Sequence, residues 1–428
     1  MSLCTRIVFI VSSQKESLVL KRIIYRKRSF SLNHAKKIAL ISSLLHGFLC
    51  SHVYAQDFSH PGVLLNLKQL EFVKNKIINN EEPWFSRFNV MRANSLSSLN
   101  YEPTADWSSM NCGGPDGEGV GKRCIYERTD ARAAYTQALM WFYSGNPIYA
   151  NNAVKIMNAW SSNFNGNHGG QNQALQASWA LSVWARAAEI IKYTYNWPTP
   201  EVEAFERLIR DKYLKDIDGQ KTRCHFGNWQ AVITEAKINS AVFLDDSELF
   251  NSAIARFRSY LPAYIYRETD GGLPVAIEGC KYNESDYKLK KYWSIENKKS
   301  ILKEGHAQET CRDLEHLAYG FAGYVNTAQT AYIQGVDLYS EGLDRIVSAM
   351  EFNTPFDHES PSSDIVLECG HYSPRLGGLR GTLSIAYNHY HNDNHAPMKM
   401  TEKWLATNQD SLPEGRFHYL WELLTHQR

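Results

Sequence analysis

The sequence predicts an all-α fold, an α/α toroid of helical hairpins forming a single domain. Three observations carry this. From residue 61 onward, apolar residues recur at helical spacing in about a dozen segments, mostly in consecutive pairs, with no convincing strand series. No repeat of fixed period marks a solenoid. The 428 residues, 43% hydrophobic and 21% charged, suffice for a large core without a linker between domains. Antiparallel helix hairpins can close into a ring, whose loops and helix ends at one mouth form a cleft.

Residues 1–55 stand apart from this domain, which is expected over residues 56–428. Lys36-Lys37 precede a mostly apolar run, and Val53-Tyr54-Ala55 offers an A-x-A-like cleavage site before Gln56. The run is too short to span a bilayer comfortably. Gly47-Phe48-Leu49 before Cys50 is a poor lipid-attachment signal. The expectation is a signal peptide cleaved after Ala55 and a periplasmic or secreted protein. Of 8 cysteines, those left after cleavage are Cys112, Cys124, Cys224, Cys280, Cys311 and Cys369. An even set in an exported chain allows disulfides. Cys112 and Cys124 flank a Gly-rich loop and are the best candidate pair. The other four cannot be paired from sequence.

Helices are expected over residues 64–79 and 84–96, followed by a long loop over 100–127. Loops of that length are functional or tied by a disulfide. Thr129 or Asp130 can cap a helix over 131–143 that Gly145 ends. Pro147 opens the next, over 147–160. Further helices follow over 173–195, 201–214, 228–244 and 247–265. Residues 271–308 read as a polar, irregular insertion. Helices then resume over 309–334 and 337–353. A loop over 354–378 leads to 379–391, 397–406 and 414–426.

The densest chemistry lies in Glu309-Thr-Cys-Arg-Asp-Leu-Glu-His-Leu-Ala-Tyr319. Read as a helix, this stretch projects Glu309, Arg312, His316 and Tyr319 within roughly an 80° arc. Carboxylate, guanidinium, imidazole and phenol are groups of proton transfer and anion binding. A buried polar network between helices is the competing reading. His225-Phe-Gly-Asn228-Trp229 opens another helix, where Asn228 either caps the helix or serves a site. Gln171-Asn172-Gln173, with Trp179 beyond it, offers amides for sugar hydroxyls or for capping. Arg132 can face an anion or pair along its helix. His371 and Tyr390 belong to two segments rich in His and Tyr that can line a cleft. His389, His391 and His395 do not form a convincing metal set, because H-x-H on a helix sends its rings to different faces. No metal or other cofactor is expected. The net charge of +1 gives no field for nucleic acid. With 11 Trp and 24 Tyr, sugar stacking and thick helix packing both fit. No P-loop, dinucleotide fingerprint or G-x-S-x-G motif appears.

Arg312-Asp-Leu-Glu-His-Leu-Ala-Tyr319, with Gln334-Gly-Val-Asp-Leu-Tyr339 further along, resembles the alginate lyase superfamily of helical toroid polysaccharide lyases. Residues 130–141 and 387–390 also resemble that family's helices. The resemblance implies β-elimination on an acidic polysaccharide, most simply mannuronate-rich alginate, by a monomer with no membrane span. In the family, an Arg and a Tyr seven residues apart share the site with an Asn–His pair at an earlier helix start. The implied catalytic residues are Tyr319, His225, Arg312 and Asn228. Here His225 and Asn228 are three positions apart, where the alginate lyase form has them adjacent. Asn172, Gln173, Trp229, His316, Glu309, Arg132, His371 and Tyr390 are expected to bind substrate. Arg312 would favour the phenolate of Tyr319 if the two side chains meet. Glucuronan or glycosaminoglycan lyases, two-carboxylate hydrolases and non-catalytic glycan binders are the alternatives.

Overall fold

The computed structural model describes residues 57–105, 109–113, 122–296, 302–357, 369, 379, 381–408 and 416–427. The expected leader over residues 1–55, and His371 with its neighbours, lie outside the described residues. Among the described residues, α1 (Leu67–Ile78) and α2 (Trp84–Ala93) precede a series of hairpins. The first two are α3 (Lys122–Ser144) with α4 (Pro147–Asn163) and α5 (Gln173–Thr194) with α6 (Thr199–Leu208). Next comes α7 (Gly227–Phe243) with α8 (Ser247–Tyr260). A short helix, α9 (Asp286–Tyr292), leads to α10 (Leu314–Ile333) with α11 (Leu338–Asn353). Residues 56–428 gather as one compact unit.

Two kinds of helix build an α/α toroid. In α5, every residue from Ala174 to Ile191 is buried, and in α7 all but Trp229. These helices carry Ala, Ser and apolar residues around their whole circumference, so they have no solvent face to offer. The outer helices are amphipathic. α8 buries Phe250, Ala253, Ile254 and Phe257, the i, i+3, i+4, i+7 stripe. The inner wall packs α3 on α5, α5 on α7, and α7 on α10. Short antiparallel connections return the chain each time. Gly145, at φ +72°, ends α3, and Asn146 caps α4. The inner helices therefore run parallel, and their N-termini share one mouth. Their dipoles make that mouth favourable to anions.

Several boundaries differ from the sequence reading. The helix expected from residue 131 begins at Lys122. Asp130 is no cap: it is buried and accepts from Tyr101 Oη and Trp160 Nε1, both at 2.8 Å. The helix expected to run to residue 265 ends at Tyr260. The helix expected over 379–391 is short, Leu383–Tyr387, and continues as a π turn over Asn388–Asp393. Among the described residues of the helix expected over 414–426, only Glu422–Thr425 is helical. Part of the loop expected over 100–127 forms a short strand, β1 (Met110–Asn111), which pairs in parallel with β2 (His168–Gly169). The helix expected from residue 309 starts at Leu314, with Asp313 as its cap.

Cys112 bonds Cys124, as expected, and the remaining pairs are Cys224–Cys280 and Cys311–Cys369. Among the described residues, no helix is long and apolar enough to cross a membrane.

Candidate active site

The shared mouth holds a cavity of about 660 Å³, lined by the first turns of α5, α7 and α10 and by Arg416 and Phe417. Asp313 sets the start of α10. Its carboxylate accepts from the backbone N–H of His316 at 2.8 Å, which satisfies one orphan donor of the first turn. It also contacts His316 Nδ1 at 2.7 Å. On the other side of that ring, His316 Nε2 faces an Arg312 amino group at 3.2 Å. A guanidinium can only donate, so Nε2 accepts and the ring proton sits on Nδ1, directed at Asp313. His316 is thus spent on positioning Arg312. Burial opposes ionisation of Asp313, yet its bonds from His316 hold its carboxyl below the usual range.

Glu309 is fully buried behind the cavity, in the turns before α10, and does not line the cleft. This corrects its expected place on the substrate face. Its Oε1 accepts from Asn228 Nδ2 and, at 3.1 Å, from Arg312. Its Oε2 accepts from Tyr264 Oη at 3.1 Å. Burial pushes the Glu309 carboxyl up to about 7, against the pull of the Arg312 guanidinium. Arg312 also lies over the Phe226 ring, 4.6 Å from its centroid. Asn228 does not cap α7, whose N-cap is Phe226. Its side chain is a partner of Glu309 instead, and one amide hydrogen remains for a ligand. Tyr264 wedges between α7 and α10. A Cβ at Gly227 would stand 1.9 Å from its ring, and one at Gly320 would stand 2.0 Å from its hydroxyl.

Tyr319 donates to Glu315 Oε1 at 2.5 Å, and Glu315 also pairs with Arg416. Burial, chiefly, pushes the Tyr319 phenol up; Tyr419 and Glu315 add to this, and Arg416 opposes it. The resting group is therefore a phenol. The phenolate favoured by Arg312 does not form, because Arg312 precedes the helix and is turned to Glu309 and His316. The Tyr319 ring packs edge-on to Phe417 at 5.0 Å and to Trp179 at 6.3 Å. The segment bearing Arg416 and Phe417 is pinned from below. Buried His418 contacts Glu235 of α7 through Nδ1 at 2.6 Å, and its carbonyl accepts from Arg186 of α5 at 2.8 Å.

His225 lines the same cavity, half-buried, its ring 4.5 Å from that of Trp229. Burial lowers its pKa, which favours a neutral imidazole able to take a proton. Asn172, Trp179 and Trp229 also line the cleft, and Asn172 makes no side-chain cap bond. Besides Glu309, three expected binders do not reach it. Gln173 ties α5 to the carbonyl of Asp216 at 2.8 Å. Arg132, one turn beyond Arg128 on α3, exerts its charge on Tyr101 and does not line the cavity. Tyr390 is buried near the far end of α10 and donates to the carbonyl of Tyr339 at 3.0 Å. The sequence reading missed Arg416 and Phe417 as cleft residues and Tyr264 as a support. It also missed the Glu315–Tyr319 pair, whose i, i+4 spacing was the signal that could have found it.

Donor atoms of His306, Cys311 and Cys369 lie within 4.8 Å of one another, but the two sulfurs bond each other, so they do not ligate in the bridged state. His389, His391 and His395 form no such group: His389 stacks on Tyr339 at 3.8 Å, and His391 Nδ1 bonds the carbonyl of Ala396 at 2.7 Å.

Two bridges end next to residues that line the cavity: Cys224 precedes His225, and Cys311 precedes Arg312. Replacing Cys224 and Cys280 with serine should lower stability by about 4 kcal/mol on a loop-closure argument. Turnover should fall at least several-fold at temperatures where circular dichroism still reports full helix. Unchanged turnover there would show that the bridge does not position His225.

The alginate lyase family profile matches residues 110–363. Among solved structures, alginate lyase A1-III from Sphingomonas species A1 aligns with a TM-score of 0.58 at 14% identity, over 88% of this chain and 99% of that one. A Tyr-to-Phe variant of that enzyme, complexed with a tetrasaccharide, aligns with the same score, identity and coverage. An alginate lyase from Bacteroides ovatus aligns with a TM-score of 0.55 at 12% identity, over 86% of this chain and all of that one. No curated protein matches the sequence. The structural likenesses establish the toroid, and the profile, spanning more than half of the chain, establishes the lineage: the chain belongs to the alginate lyase family and is a polysaccharide lyase.

Proposed function

We propose that the enzyme cleaves a uronate polymer, mannuronate-rich alginate first, by metal-independent β-elimination, and that residues 1–55 export it. The observation that carries this reading is one cavity faced by Asn228, Arg312, His225 and Tyr319. The C5 proton of a uronate becomes acidic only when the C6 carboxylate is neutralised, so that enolate-like charge can build there. Arg312 and the spare N–H of Asn228 supply that neutralisation.

For mannuronate, proton and leaving group lie on one face, and Tyr319 serves both steps. As its oxygen takes the C5 proton, its own proton passes to Glu315. The C4–O bond then breaks, and the C5 electron pair becomes the C4=C5 double bond. Tyr319 protonates the leaving oxygen, and Glu315 returns the stored proton. For the opposite stereochemistry, neutral His225 takes the C5 proton and Tyr319 protonates the leaving oxygen. Trp229 and Trp179 offer faces for sugar rings. Glucuronan poses the same carboxylate problem and is the second substrate to try. A two-carboxylate hydrolysis has less support, because Glu309 is buried behind the cavity and Glu315 is ion-paired.

The product is a 4,5-unsaturated uronate, whose conjugated double bond absorbs in the ultraviolet. Polymannuronate should give steadily rising absorbance with each new chain end. New reducing ends without absorbance would sink the elimination. Absorbance with glucuronan alone would reassign the substrate.

A further inference from the structure

We infer a second carbohydrate site, for an acidic oligosaccharide, at the far end of α10; it rests on the polyuronate reading above. A cavity of about 760 Å³ lies between α1 and α2 on one side and the last turns of α10 with residues 385–389 on the other. Tyr332, on its wall, lies 13 residues beyond Tyr319 on α10, or roughly 20 Å at the helical rise. It is therefore separate from the cleft, and nothing in the elimination uses it.

Its walls are built as a sugar site would be. On one side Phe72, 37% exposed, meets Trp84 edge-on at 5.8 Å. On the other Tyr332, 49% exposed, meets His389 edge-on at 4.9 Å, and His389 is held by stacking on Tyr339. Two exposed aromatic rings facing one cavity are unusual on a surface with nothing to cover them. Gln329 accepts from Tyr339 Oη at 2.9 Å, and its amide NH2 has no partner among the described residues. Amides of that kind suit hydroxyls.

Charge decides the sugar class. Lys76 also lines the cavity, but its ammonium is 2.5 Å from Glu81. Lys68 is exposed on the same wall and has no carboxylate within 4.0 Å among the described residues. It is the cation available to a uronate carboxylate. A single exposed cation holds a carboxylate weakly in water, so the rings and the Gln329 amide supply most of the binding of a short oligosaccharide and Lys68 supplies the preference for an acidic one. The effect of the site appears on a long chain held at both ends of α10, where tethering raises the effective concentration.

The double variant Tyr332→Ala, Lys68→Ala tests this, since both residues are exposed and the fold should hold. KM for long polyuronate should rise about three- to tenfold with kcat unchanged, while kcat/KM for a tetrasaccharide stays within about twofold. In a Tyr319→Phe background, calorimetric titration with mannuronate tetrasaccharide should give two binding events, and the double variant should leave one. A single event in the Tyr319→Phe parent, or polymer kinetics unchanged by the double variant, overturns the site. So does equally strong binding of a neutral glucan tetrasaccharide. Failure of the polyuronate reading is separate: it leaves wild-type enzyme without ultraviolet product on any polyuronate.

Discussion

Tyr319→Phe is expected to lower kcat about 10³-fold on polymannuronate, with little change in KM. The variant keeps the ring, and with it the packing against Phe417, Trp179 and Tyr419. Only the hydroxyl is lost, and Glu315 retains Arg416. The folded structure should therefore persist, with a melting temperature within about 4 °C of wild type. Initial absorbance rates on the purified variant provide the measurement. Near-wild-type turnover would remove Tyr319 from the chemistry and leave His225 as the remaining proton carrier in the cavity.

Glu309→Gln should be nearly as damaging, although this residue does not line the cleft. It removes the charge that holds Arg312 and Asn228 side by side, and kcat should fall about 10²-fold. A pH signature distinguishes this from general damage. Burial pushes the folded carboxyl up to about 7, above the 4.5 of a free glutamate side chain. Between those values the folded chain holds a proton that the unfolded chain has released. The contribution of Glu309 to stability is then fully present below about 4.5, falls as pH rises toward about 7, and levels off above. Glutamine does not titrate, so the variant should lose that part of the slope. Urea midpoints at pH 5 and pH 8 for both proteins check it. Identical pH dependence would mean that Glu309 is ionised throughout.

How much of this was legible depends on the distance over which each contact acts. The toroid was legible, because an all-round apolar helix beside an amphipathic one is a local pattern. Arg312 and Tyr319 were legible as a motif, but their helical phasing was not. Asp313 carries a capping signal three residues before the backbone N–H it accepts. The helix accordingly starts after Arg312, which is what turns the guanidinium back toward Glu309. The role of Glu309 was hidden because Asn228 and Tyr264 reach it from 81 and 45 residues away. Arg416 was hidden for the same reason, its partner Glu315 being 101 residues distant. Tyr390 was misplaced because a ring dense with polar neighbours reads alike whether it faces a cleft or a buried carbonyl.

The acidic groups around the cleft also set how substrate enters. Glu309 faces Arg312, Glu315 faces Arg416, and Asp313 faces His316. Before substrate arrives, Glu309 and Glu315 each already face a guanidinium and Asp313 is occupied by the ring N–H of His316, so both guanidinium groups start out paired and the mouth projects little positive field beyond its helix ends. Under the proposed function, an incoming uronate would be the one anion without a companion, and it would gain one by loosening an existing couple, most directly Arg312 from Glu309. Recognition of this polyanion then rests on an exchange of partners at contact range rather than on attraction from a distance. Such a mechanism suits a chain with almost no net charge, and it makes capture of the polymer tolerant of salt.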